Sequence, residues 1–181
     1  MFDENQGREK RAVRIDTIDG PIEGCLHVSP QLRTLDDLNV VARRFVTVHS
    51  HSSPTIQWNF GTGALAINKS SVLFVRELVP PPLQANSRFC NFTRSPIRVQ
   101  VKDYEIEGFC HVPPGGAPMK RLEHGEHPFI SLTTVLLTGP DGQSTAPFLA
   151  VNRAHISAVQ QVDLEEGADP DAVSSGATSE A

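Results

Sequence analysis

Short stretches rich in apolar and β-branched side chains recur along the chain, at 13–18, 22–28, 45–51, 64–68 and 71–77, with apolar residues at every second position across 22–28. Alternation of this kind, rich in β-branched residues, predicts strands that each bury one face. Asp19, Gly20 and Pro21 separate the first two stretches as a hairpin connection would. Asn68 and Lys69 break the last two, residue types that suit a tight turn. Between the second and third stretches, Leu35, Leu38, Val41 and Phe45 stand near helical spacing behind Thr34, a candidate N-cap. That segment predicts a short helix.

The same pattern then repeats. VRIDTIDGPIEGCLHVSP at 13–30 returns as IRVQVKDYEIEGFCHVPP at 97–114, an offset of 84 residues. At that offset RFVTV (44–48) falls on PFISL (128–132), and ALAINKSSVLFV (64–75) on FLAVNRAHISAV (148–159), with no gap. Between 13–77 and 97–161, 14 of 65 positions are identical, including Arg14/Arg98, Ile22/Ile106, Gly24/Gly108, Phe45/Phe129 and Asn68/Asn152. So many matches in one register are not chance, and they predict a duplicated unit. The expected fold is all-β: two tandem five-stranded small barrels or curled sheets, with a short helix in the first copy. In the second copy the helix position is taken by PPGGAPMKRLEHGEHP (113–128), which predicts a Pro/Gly loop instead. The chain thus divides into a basic arm (1–12), a first repeat (13–78), a linker opening on three prolines (79–96), a second repeat (97–162) and a small, acidic tail expected to be disordered (163–181).

Composition adds less. Hydrophobic residues make up 39% and charged residues 20%, as in soluble globular proteins. There is no apolar run long enough to span a bilayer, and no apolar secretory segment follows Met1, so a cytoplasmic location is expected. The net charge is −5, yet six acids and no base lie after residue 162; taking those six away leaves residues 1–162 at +1. A near-neutral body neither favours nor excludes a polyanionic partner. Cys25, Cys90 and Cys110 form no CxxC pair, which argues against a disulfide framework and a cysteine zinc site. Cys25 aligns with Phe109 and Cys110 with Leu26, the behaviour of packing positions.

The sharpest local motif is Ile-Glu-Gly-x-x-His-Val, present in both copies. Alternation puts Glu23 and His27 on the strand face opposite Ile22, Gly24, Leu26 and Val28, and Glu107 and His111 on the equivalent face. Four residues along a strand span about 13 Å, too far for one metal. These faces therefore read as partner-facing. His49 and His51 alternate on one face about 7 Å apart, compatible with a metal pair but without an acid or cysteine nearby in sequence. His124 and His127 meet no established ligand spacing, so a surface role is the better reading for all four. Gly61-Thr-Gly63 lacks the later glycine of a phosphate loop, and no nucleophile-elbow, zincin or Walker motif occurs. No catalytic residue, no cofactor and no resident metal are expected.

With two strands joined by a short turn, a glycine in the second, a phenylalanine-led third and the closing Leu65–Val75 segment, each copy resembles the Sm-like small barrel. The similarity covers most of both repeats. Ile67 to Val72 and Val151 to Ile156 look like that family's second motif. The resemblance implies a strongly bent five-stranded sheet, rings or pseudo-rings formed through edge strands, and RNA contacts at Asn68, Lys69, Asn152 and Arg153. The leading expectation is a non-enzymatic adaptor or assembly module that binds a protein partner or itself, as a homo-oligomer or an intramolecular pseudo-dimer. The alternative is an RNA-binding regulator that adds Arg11 and Arg14 to those turns; a histidine metal protein is the second alternative.

Overall fold

The computed structural model describes residues 7–53, 63–79 and 92–162, and they are mainly β. The first copy runs β1 (Glu9–Thr17), β2 (Gly20–Val28), α1 (Thr34–Leu38), β3 (Phe45–Ser52), β4 (Leu65–Asn68), a 3-10 turn (Lys69–Ser71) and β5 (Val72–Glu77). The second runs β6 (Thr93–Val101), β7 (Tyr104–Val112), α2 (Pro118–His124), β8 (Phe129–Gly139), β9 (Gly142–Asn152), a 3-10 turn (Arg153–His155) and β10 (Ile156–Gln161). The 84-residue offset carries every element of the first copy onto one of the second. Ile22 and Ile106 are both buried, opposite Ile15 and Val99 respectively. Asn68 and Asn152 cap their turns alike, each accepting a 3.1 Å hydrogen bond from the N–H two residues on.

The strands form one antiparallel ten-stranded sheet in the order β10-β6-β7-β8-β9-β5-β1-β2-β3-β4. Each repeat fills five consecutive places, and the β5–β9 pairing (Phe74 opposite Val151, Val75 opposite Ala150, Arg76 opposite Leu149) welds one to the other. Two cores follow, and each borrows across this seam. The first contains Phe129 and Ala150 from the second copy; the second contains Leu73 and Phe74 from the first.

Each half of the sheet shifts register at the glycine of the repeated motif. The β2–β3 register shifts between Glu23 and Cys25, and the β7–β8 register shifts between Glu107 and Phe109. In each case the partner strand holds an extra residue, a β-bulge. A Cβ on Gly24 would lie 2.4 Å from Val48 Cγ1 and 2.9 Å from the His49 carbonyl; on Gly108 it would lie 3.2 Å from the Thr133 carbonyl. At Gly24 a side chain would collide with the bulged strand, and at Gly108 the neighbours would have to give by a few tenths of an ångström.

Several expectations need correction. The 113–128 segment is not all loop: α2 occupies Pro118–His124, because proline at the first helical position loses no intrahelical bond and Leu122 packs against the second core. In α1 the N-cap is Arg33, whose backbone and side chain both bond Asp36, while Thr34 is buried and its hydroxyl donates to Glu77. The helix stops at Leu38; Val41, 73% exposed, lies outside it, and Phe45 opens β3. Strand β1 starts at Glu9, inside the expected basic arm, and β6 starts at Thr93, inside the expected linker. The prolines at 80–82, Cys90, Gly61 and the tail from 163 lie outside the described residues. No helix among the described residues is long and apolar enough to cross a membrane.

Candidate functional site

The repeated Glu and His residues do share the outer faces of β2 and β7, but they divide into two separate features. Toward the hairpin, Glu23 stands opposite Arg14 at 3.9 Å, and Glu107 opposite Arg98, which donates from Nε at 2.9 Å and from Nη2 at 2.5 Å. These cross-strand ion pairs sit at equivalent positions and are built from identical residues. They lie half-exposed at the surface, where such pairs contribute little to stability. Four residues on, the imidazoles meet β3 and β8. His27 stacks on His49, ring centroids 4.3 Å apart and planes 9° from parallel. His111 shares a 2.9 Å hydrogen bond with Thr133, the duplicate of His49. Burial first, then Arg94 and Arg121, holds His111 below the usual imidazole pKa.

The ring that His49 meets is not that of His51 on its own strand but that of His27 on the neighbouring one. Among the described residues no group of three or more His, Cys, Asp or Glu side chains comes together. His124 is exposed, 3.8 Å from Glu123, and His127 offers its carbonyl to Arg153. Cys110 is buried in the second core, which pushes its thiol pKa up, and Cys25 is half-buried on the outer face.

The residues suggested for RNA are largely committed within the chain. Lys69 Nζ donates to the Val40 carbonyl at 2.9 Å, and burial lowers its pKa. Arg153 donates to the carbonyls of Leu122, Gly125 and His127, pinning the α2 loop as Lys69 pins the α1 loop. Asn152, 3% exposed, donates across the seam to the carbonyls of Lys69 (2.9 Å) and Val72 (2.8 Å). Its duplicate Asn68 is exposed and makes only local bonds among the described residues. Arg11 reaches Leu32 O at 2.9 Å and Thr34 Oγ1 at 3.3 Å, and Arg14 holds the buried Asp16 at 3.2 Å.

Two features escaped the sequence reading. The first is the seam. Asn39, at the end of α1, exchanges both hydrogen bonds with the Phe129 backbone (3.0 and 2.9 Å), and His155 donates to the Ser70 carbonyl at 2.7 Å. Asp16 is almost fully buried beside Arg14, with Arg76 at 3.9 Å; burial outweighs both arginines and raises its pKa. The second is a cavity of about 210 Å³ on the outer side of β2 and β3, lined among others by Arg8, His27, Asp37, Arg43, Phe45, His49 and Lys69. Arg8 lies in the basic arm that the sequence marks; the other cations come from separate elements, and only the fold gathers them. Neither a scan against protein-family models nor searches of curated proteins and solved structures found a significant match.

Proposed function

We propose that the chain is a non-enzymatic assembly module: a duplicated Sm-like unit, each copy a curled small barrel, that joins end to end with further copies of itself. The reading is carried by one observation, the contrast between a residue at the seam and its duplicate at the end of the sheet. Phe129 is 2% exposed where β8 and β9 meet the first repeat; Phe45 is 52% exposed at the end of the sheet, where the outer edge of β4 pairs with no strand among the described residues. The contrast extends along the strand. Ala150 is buried and Ala66 exposed; Asn152 is bonded across the seam and Asn68 is not. The β4 end thus keeps seam chemistry without a partner among the described residues, and such edges are templates for strand addition.

At the opposite end of the sheet lies β10, the duplicate of β5. Transposing the seam register by 84 residues puts Ala158 opposite Ile67, Val159 opposite Ala66 and Gln160 opposite Leu65 of the next copy. The contact is heterologous, so it propagates into a closed ring or an open fibre. It is also weaker than the seam, because Ser157 and Ala158 replace Leu73 and Phe74, and Glu123 replaces the Asn39 that served Phe129. Sedimentation of the full chain should show reversible association that grows with concentration. Ala66→Lys puts a charge at an exposed position where the seam tolerates only a buried methyl, and it should leave the chain folded but monomeric. A wild-type chain that stays monomeric, or a variant that associates equally well, sinks the proposal.

A further inference from the structure

The cavity beside β2 and β3 gathers more positive charge than the chain neutralises. Arg8, Arg43 and Lys69 line it against a single carboxylate, Asp37, which is already engaged by Arg43 at 2.8 Å. Arg8 makes one long hydrogen bond among the described residues, 3.5 Å to the His27 carbonyl, so most of its five donors point elsewhere. The stacked His27 and His49 rings line the same cavity and report on its occupancy. Cations crowded in this way repel one another unless an anion joins them.

The second copy shows what the same framework looks like without a site. There Phe92 stands at the position of Arg8, Arg121 at that of Asp37 with its guanidinium 5.9 Å from the Phe92 ring, and His127 at that of Arg43. Thr133 replaces His49, and the buried Phe129 replaces the exposed Phe45. Arg153, the counterpart of Lys69, is bound to three carbonyls. His27 and Phe45 recur as His111 and Phe129, but Arg8, Asp37, Arg43 and His49 have no like residue in the second copy, so the charged cluster is a property of the first copy alone.

We propose that this cavity binds a small phosphomonoester. Two guanidiniums and an ammonium suit a phosphate dianion, since Arg presents paired donors in the geometry of phosphate oxygens. Net of Asp37 the three cations leave a charge of +2, which a dianion balances. At about 30 Å³ per water, the volume holds roughly seven waters, room for a phosphate and a modest organic group. Phe45, 52% exposed, supplies an apolar surface for that group.

The test titrates the full chain with inorganic phosphate, phenyl phosphate and phenol, reading the ring proton signals of His27 and His49 and the heat of binding. Saturable shifts with both phosphates and none with phenol are expected. Arg8→Ala and Arg43→Ala should each weaken phenyl phosphate about tenfold, the loss of one charge-assisted contact, with the melting point of the unliganded chain little changed. Phe45→Ala should weaken phenyl phosphate and spare inorganic phosphate. Ala66→Lys lies outside the cavity lining and should bind phosphate normally, which separates this site from end-to-end assembly. Absence of saturable shifts, or undiminished affinity in Arg8→Ala, overturns the proposal. So does binding of a single-stranded oligoribonucleotide without binding of phenyl phosphate, which would give the face to nucleic acid.

Discussion

His111 shows how a duplicated residue acquires a different environment from its twin. It faces Thr133 where His27 faces an imidazole, and it lies near Arg94 and Arg121, whose duplicates are Lys10 and Asp37. Burial and the two guanidiniums lower its folded pKa below the unfolded value of 6.5. Between those two values the unfolded chain binds the extra proton, so the contribution to stability is complete above 6.5 and is lost as pH falls toward the folded pKa. His111→Gln keeps a hydrogen-bonding group toward Thr133 and removes the titration. Urea midpoints measured from about pH 7 to about pH 5 should therefore fall less steeply in the variant than in the parent chain. Identical slopes would mean that His111 titrates as it does in the unfolded state.

At the scale of the element, Asn68 and Asn152 cap the same 3-10 turn in the same way, but only Asn152 also bridges to the other repeat. Replacing either with Ala removes a cap, a loss of about 1 kcal/mol. Asn152→Ala additionally strands the Lys69 and Val72 carbonyls, each costing about 1–3 kcal/mol if left unsatisfied. Thermal unfolding should register a loss for Asn152→Ala at least about twice that for Asn68→Ala; equal losses would mean that water takes over at the seam. The turns themselves were legible in the sequence because Asn-Lys and Asn-Arg recur at the 84-residue offset, and so were all ten strands. Helix α2 was hidden by its Pro and Gly neighbours, although Pro118 falls at the duplicate of Thr34, where α1 begins. The His27–His49 stack was not legible, since it depends on the bulge that shifts β3 against β2. The Asn39–Phe129 link joins residues 90 apart, and internal identity says nothing about which edges meet.

Across the whole molecule, the seam decides whether two repeats behave as two folding units or one. Neither hydrophobic core is complete within its own copy: Phe129 and Ala150 belong to the first, Leu73 and Phe74 to the second, and Phe74 meets the Tyr104 ring edge-on at 5.0 Å. Unfolding either half exposes buried surface of the other, so a half-folded state forfeits apolar burial on both sides of β5–β9. The chain should therefore unfold in one cooperative step. Cys110 reports on the second core, where burial keeps its thiol covered and its pKa high; the amides of Val13 and Ile15 report on the first. In a chain carrying Cys25→Ser and Cys90→Ser, the urea concentration that releases Cys110 to a thiol reagent should coincide with the one that ends hydrogen-exchange protection in β1. Release of Cys110 while β1 stays protected would mean that the repeats unfold independently. The β5–β9 contact would then be a docked surface, too weak to serve as the template for joining one chain to the next.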